Sequence, residues 1–110
     1  MNPTGNNLTL ICYDITNDKL RNRINKTMKD YGIRLQYSVF ICRLDSDSLI
    51  SCKDSLMKIL SHHRENKEPG DSIIILEHLH PAHVTCLLTP DNNREIGHAL
   101  LKNTLAYAFI

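Results

Sequence analysis

The sequence predicts an α+β domain in which two helices cover one face of a four-stranded antiparallel sheet. Three observations lead to this prediction: the chain has only 110 residues, apolar runs typical of strands alternate with two stretches of helical periodicity, and a helix directly follows the first such run. The predicted order is strand, helix, strand, helix, strand, strand. With both helices on one face, this is a β-α-β-β-α-β type of ferredoxin-like sandwich.

The first predicted strand runs from Leu8 to Ile15 and is apolar on both faces. Asp14 and Tyr13 point to opposite faces, because successive side chains of a strand alternate. Residues 16–18 supply candidate N-cap residues for a helix that is expected to stop at Gly32. The apolar stripe of this helix consists of Leu20, Ile24, Met28 and Tyr31.

The remaining elements follow from the same patterns. A second strand is predicted from Arg34 to Leu44, and a second helix is capped by Ser46 or Asp47. Residues 71–79 form a third predicted strand, and residues 82–89 a fourth. The apolar stripe of the second helix consists of Leu49, Cys52, Leu56, Leu60 and His63.

Two segments are distinguished along the chain. Residues 1–90 are expected to form the ferredoxin-like domain, and residues 91–110 a C-terminal extension. This extension reads as a helix, or as a short helix leading to a strand at Leu105 to Ile110.

Composition excludes several classes of protein. The apolar fraction of 42% is ordinary for a globular domain, and no run approaches the roughly 20 apolar residues that a membrane span needs. No signal peptide opens the sequence, so a cytoplasmic protein without a membrane partner is expected. The net charge of +1 gives no global argument for nucleic-acid binding, and such binding would need a local basic patch.

Cysteines and histidines do not predict a metal centre. The four cysteines contain no CxxC pair, so zinc-finger spacing is absent. His78, His80 and His83 lie close together in sequence, but Pro81 breaks any helical spacing between them. The histidines therefore favour a polar connection between strands over a metal site.

The strand pattern predicts a partner. Two helices can cover only one face of the sheet, yet the strands are apolar on both faces. A symmetric homodimer that packs sheet against sheet is the simplest way to cover the second face.

Asp14, at the end of the first strand, is the acid whose placement suggests a role in chemistry rather than in solvation. Magnesium is usually held by one or two carboxylates together with waters and phosphate oxygens, so one Asp alone is a poor site. Across a two-fold axis, two Asp14 side chains could share one Mg²⁺ or Mn²⁺ ion and promote hydrolysis of a phosphodiester. Arg21, Arg23 and Arg34 are candidate hydrogen-bond donors to the phosphate groups of a nucleic acid. Spacing alone leaves a structural alternative open for each residue. Asp14 could cap the next helix, the arginines could form a solvated helix face, and Phe40 could be a core residue.

Three motifs in the first 45 residues carry a family resemblance. They are Tyr13-Asp14-Ile15-Thr16, Leu20-Arg21-Asn22-Arg23-Ile24 and Tyr31-Gly32-Ile33-Arg34-Leu35-Gln36-Tyr37-Ser38-Val39-Phe40. In type and separation they resemble the small CRISPR-associated Cas-two family. The resemblance implies a ferredoxin-like homodimer of CRISPR adaptation that works with the Cas-one integrase in spacer acquisition. It also implies a metal-dependent endonuclease that acts on single-stranded RNA or double-stranded DNA.

The resemblance assigns roles by position. Asp14 matches the metal-binding catalytic acid, and the positions expected around the catalytic cleft are Tyr13, Ser38 and Phe40. The positions expected to contact nucleic acid are Arg21, Arg23 and Arg34. Ile41 stands where the family commonly has an acid, and Asp45 is too far along to replace it. Two alternatives stay open: a non-catalytic DNA-binding adaptor dimer in the integrase complex, and a toxin-like ribonuclease of the same fold.

Overall fold

The structure is a computed structural model that describes residues 7–85 and residue 87. In this part of the chain, two short 3₁₀ turns accompany four strands and two α-helices. These are β1 (Leu8–Asp14), α1 (Asp18–Met28), β2 (Gly32–Gln36), β3 (Val39–Cys42), α2 (Ser46–His62) and β4 (Ser72–Leu79). Among the residues described, no helix has both the length and the apolar character that a membrane crossing requires.

The strands form one antiparallel sheet in the order β2-β3-β1-β4. This order places β3 between β1 and β2, and β1 between β3 and β4, which is the interleaved arrangement of the ferredoxin-like sandwich. The predicted α+β fold is therefore confirmed.

Both helices pack on the same face of the sheet. The core between the layers is formed by Ile11, Tyr13, Ile15, Leu20, Ile24, Met28, Phe40, Cys42, Cys52, Leu56 and Ile59, all of which are buried. Helix α1 begins where predicted, because the Asn17 side chain accepts a hydrogen bond of 2.9 Å from the Leu20 N–H. The apolar stripe of each helix therefore faces the odd-numbered residues of β1.

The predicted second strand, Arg34 to Leu44, is wrong as a single element, because the chain reverses at Tyr37 and Ser38 to give β2 and β3. Hairpin turns usually carry Gly, Asn or Asp, and this one carries none, so the sequence contains no strong hairpin signal. A tertiary contact fixes the reversal instead: the Tyr13 N–H donates to the Ser38 carbonyl at 3.0 Å.

The predicted fourth strand at residues 82–89 is also not found in the residues described. Pro81–His83 forms a 3₁₀ turn, and the His80 ring accepts a hydrogen bond from the Ala82 N–H at 3.0 Å. The sheet still has four strands, because the hairpin divides the predicted second strand into two. The predicted extension at 91–110 lies outside the described residues.

Two helix boundaries differ from expectation. Helix α1 ends at Met28, and Gly32 instead begins β2, where an added Cβ would lie 2.6 Å from the Ile41 carbonyl oxygen. Glycine is needed there for close approach of the two strands. Helix α2 is capped by Asp45 rather than Ser46 or Asp47, because Asp45 accepts from the Ser48 N–H at 2.7 Å.

The second face of the sheet is apolar and partly open in the single chain. Ile74 and Leu76 are 56% and 42% exposed, although both are apolar residues of the strand β4. Leu8 and Ile41 are buried on this face among partly buried apolar neighbours, which are Leu10, Ile33, Leu35, Leu79 and Val84. We call this surface, including Ile74 and Leu76, the open face.

Candidate nuclease site

Asp14 ends β1 and is exposed on the open face. Its register partner is Ser72 at the start of β4. Both residues line a shallow cleft of about 530 Å³ that also includes Tyr37 and Ser38 from the β2–β3 hairpin. The structure therefore brings three of the predicted catalytic positions, Tyr13, Asp14 and Ser38, to one cleft.

The donor set of this cleft suits half of a magnesium site. Hard cations prefer oxygen ligands, and a single subunit offers the Asp14 carboxylate with the hydroxyl groups of Ser38 and Ser72 beside it. In the part of the chain that the structure describes, no three His, Cys, Asp or Glu residues form a group that could hold a metal ion. Among the described residues that line the cleft, Asp14 is the one carboxylate.

The loop that follows Asp14 is fixed by a carboxylate from the loop before the neighbouring strand β4. Asp71 accepts hydrogen bonds from the N–H groups of Glu68 at 2.8 Å and Thr16 at 3.0 Å. These bonds, with the Glu68 N–H as the larger cause, lower the pKa of Asp71. Asp71 thereby ties the start of the β1–α1 loop to the loop before β4, and so limits the movement of Asp14.

Tyr13 and Phe40 lie on the other side of the sheet, under the helices. The Tyr13 hydroxyl pairs with the Asn25 side chain, and burial raises the pKa of Tyr13 to about 12. The Tyr13 and Phe40 rings stack with centroids 6.3 Å apart. Tyr13 is therefore neutral at physiological pH. It lines the Asp14 cleft and packs in the core, whereas Phe40 does not line the cleft.

Arg21 and Arg34 meet around the ring of Tyr37. Their guanidinium carbons lie 5.8 Å and 5.7 Å from its centroid, and Arg34 is also 5.7 Å from the Phe40 ring. Such distances are those of cation–π contacts. Two predicted nucleic-acid contacts are thus placed beside the hairpin whose tip borders the Asp14 cleft.

Arg21 also holds the β1–α1 loop in place. Its guanidinium donates to the carbonyl oxygens of Ile15 at 2.9 Å and Thr16 at 3.3 Å, and it forms an ion pair with Asp18. A mutation of Arg21 would therefore disturb the backbone next to Asp14 as well as remove a positive charge.

Arg23 lies elsewhere, in a groove between α1 and α2. We call this the interhelical groove; its cationic lining residues are Lys19, Arg23, Lys26 and Lys58. Asp30 is the acidic residue that lines it. The predicted trio of arginines is therefore divided between two surfaces.

Sequence reasoning missed several residues of these two surfaces. Tyr37 and Ser72 border Asp14, but Tyr37 was expected inside a continuous strand and Ser72 had no visible partner. No role was predicted for the lysines of the interhelical groove. The spacing of the basic residues along α1 does not reveal the groove, because the groove also depends on how α2 packs against α1.

Comparison with known proteins decides the family. A family model described as "CRISPR associated protein Cas2" matches residues 7–78, which include the whole sheet except the last residue of β4. The chain belongs to the Cas2 family. The resemblance seen in the first 45 residues is thus confirmed over a longer part of the sequence.

Individual relatives agree with this assignment. A Cas2 protein of Chloroflexus aurantiacus named a CRISPR-associated endoribonuclease is 42% identical over 52 residues, covering 47% of this chain and 56% of that protein. A namesake from Geobacter sulfurreducens is 37% identical over 70 residues, covering 64% and 67%. The first match thus spans little more than half of the relative's length.

A solved structure shares the fold. The hypothetical protein TT1823 from Thermus thermophilus superposes with a TM-score of 0.59 at 28% identity, covering 78% of this chain and 96% of that one. This similarity supports the ferredoxin-like architecture of the Cas2 chain.

Proposed function

We propose that this Cas2 protein is a metal-dependent endonuclease of a CRISPR system, that it cleaves RNA, and that it works as a homodimer. The observation that carries the proposal is the exposed carboxylate of Asp14 on an open apolar face. The names of the curated relatives, which call those proteins endoribonucleases, support RNA as the substrate. The family match favours this setting over a toxin-like ribonuclease.

A dimer supplies what one subunit lacks. Exposed apolar side chains such as Ile74 and Leu76 are costly in water, and a second copy packed on the open face would bury them. Because a two-fold interface brings the same surface of each subunit together, it can also bring two Asp14 carboxylates near one another. The two acids would then complete a site that neither subunit forms alone.

The two Asp14 carboxylates would hold Mg²⁺, or Mn²⁺ in its place. When bound, such an ion lowers the pKa of a coordinated water and stabilises negative charge on a phosphodiester. The chain itself places Ser38 and Ser72 beside the carboxylate, where their hydroxyl groups can hydrogen bond to phosphate oxygens. Arg21 and Arg34 lie at the hairpin next to the cleft and supply positive charge to the bound RNA backbone.

Removal of the metal should abolish cleavage. Purified protein with 5′-labelled single-stranded RNA is expected to give internal cleavage products in about 5 mM MgCl₂ and none in excess EDTA, because one carboxylate pair without an ion does not activate water. Restoring Mg²⁺ should restore the products, and Mn²⁺ should substitute.

The control is far-UV circular dichroism in EDTA. The spectrum should be unchanged, because the described part of the chain has no cluster of three metal-ligating residues on which the fold could depend. Cleavage that persists in EDTA would contradict a metal-dependent mechanism. RNA left intact in Mg²⁺ and Mn²⁺ by a folded dimer would contradict the nuclease proposal itself.

A second function is favoured by the interhelical groove. Four cationic side chains line it against one acid, although the whole chain carries a net charge of only +1. Concentrated positive charge binds nucleic-acid backbone without reading its sequence. We propose as the alternative that the dimer is a DNA-binding adaptor in spacer acquisition, with the Cas-one integrase as its partner and Asp14 dispensable.

Charge reversal in the groove tests the adaptor role. Lys26→Glu with Lys58→Glu is expected to weaken binding of duplex DNA at least about tenfold at low salt. The slope of log K against log salt should fall by about one for each phosphate that is no longer neutralised. The matched control is Lys29→Glu with Lys67→Glu, which changes the net charge equally at exposed lysines outside the groove. Equal losses of affinity in both variants would show only a net-charge effect and contradict the proposed DNA surface.

A further inference from the structure

Tyr37 is an unusual residue for the tip of a tight hairpin. Its side chain is 65% exposed, although most aromatic rings of the described chain are packed in the core. The tip itself is held in place, because the neighbouring Ser38 carbonyl accepts from the Tyr13 N–H. An exposed ring on a fixed turn offers an apolar, planar surface without a large loss of backbone freedom on binding.

The surroundings of the ring are cationic. The Arg21 and Arg34 guanidinium groups lie within 5.8 Å of its centroid, and Arg21 is held there by carbonyl oxygens of the β1–α1 loop. Positive charge beside an aromatic face matches a nucleotide, which combines a planar base with a phosphate.

Tyr37 also lines the cleft that contains Asp14 and Ser38. The hairpin tip therefore joins the arginines on the helix side of the sheet to the carboxylate on the open face. If one base of a nucleic-acid strand stacks on the Tyr37 ring, the sugar–phosphate backbone of that strand can run from the arginines toward Asp14.

We infer that Tyr37 is a stacking platform for one base of a single-stranded RNA, with Arg21 and Arg34 neutralising the adjoining phosphate. This inference rests on the proposed nuclease function and adds to it a residue that contacts a base of the substrate. Bases inside a duplex are already stacked on their neighbours, so they cannot offer a face to the ring. The platform would therefore select single strands over duplexes.

The test uses a fluorescent reporter at the site. The chain contains no tryptophan, so Tyr37→Trp introduces a single one. In an Asp14→Asn background, which keeps the RNA intact, titration with a single-stranded oligoadenylate of about ten nucleotides is expected to quench Trp fluorescence by stacking. A duplex of the same length should quench it at least about tenfold less at equal concentration.

Substitutions measure the contribution of the ring. In the same background, Tyr37→Ala is expected to weaken single-strand binding roughly 5- to 150-fold, the range for loss of one stacked base. Tyr37→Phe keeps the ring and should bind within about twofold of the parent. Ile50→Ala, which removes a similarly exposed apolar side chain on α2, should leave binding unchanged.

Three results would overturn the inference. They are saturating RNA that leaves Trp fluorescence unchanged, equal affinity of Tyr37→Ala and Tyr37→Phe, and a change of oligomeric state in Tyr37→Ala, which would assign the ring to a subunit interface. Because these measurements record binding alone, they are separate from the cleavage assay. Stacking without cleavage would contradict the nuclease proposal, and cleavage without stacking would contradict only this inference.

Discussion

Asp14→Asn is expected to reduce metal-dependent RNA cleavage at least about 100-fold while the fold and the dimer persist. Loss of a residue that merely orients a metal ligand typically costs 10- to 100-fold, so loss of the ligand's charge should cost more. The side chain is exposed and contributes nothing to the core, so the free energy of unfolding should change by less than about 0.5 kcal/mol. Initial rates with labelled RNA and urea unfolding measure the two effects.

A mixed dimer shows whether the two acids share one ion. With a different tag on each subunit, the dimer of one native and one Asp14→Asn chain can be purified and assayed. A shared site leaves this hybrid with one carboxylate, and less than about a tenth of the native rate is expected. About half of the native rate would indicate independent sites and contradict the shared metal. Asp47→Asn, an exposed acid in the first turn of α2, is the matched control.

The fold could be predicted because its main determinants are local. The apolar run of β1 and the apolar stripes of α1 and α2 identify these elements, which were placed within a few residues of their true ends. The β2–β3 hairpin could not be predicted, because it reverses at Tyr37 and Ser38 without a Gly, Asn or Asp. Its stabilising contact comes from Tyr13, more than 20 residues away in sequence, and single-sequence patterns do not record such a contact.

The candidate site was predicted in part for the same reason. Strand alternation correctly placed Asp14 and Tyr13 on opposite faces, and the resemblance named both as site residues. Proximity in sequence suggested that Arg21 and Arg23 act together, yet they lie on different sides of α1. The partners of each arginine depend on the packing of α2 and on the hairpin, which are tertiary features.

Leu76→Glu is expected to convert the proposed homodimer into a monomer. Leu76 is 42% exposed on the open face, and a two-fold interface there would bury the new charge twice in each dimer. A buried charge without a partner costs several kcal/mol, so the dimer dissociation constant should rise at least about 1,000-fold. Ile74 is left unchanged because it lines the Asp14 cleft, where a new acid would itself affect metal binding. Sedimentation velocity over a range of protein concentrations measures the change.

Met57→Glu is the matched control, because Met57 is 64% exposed on α2 and the same substitution there should leave the dimer intact. If two Asp14 residues share one ion, the Leu76→Glu monomer should also lose metal-dependent cleavage although its own Asp14 is untouched. A monomer that cleaves RNA at the native rate would contradict the shared site. A dimer that survives Leu76→Glu would place the subunit interface on a surface other than the open face.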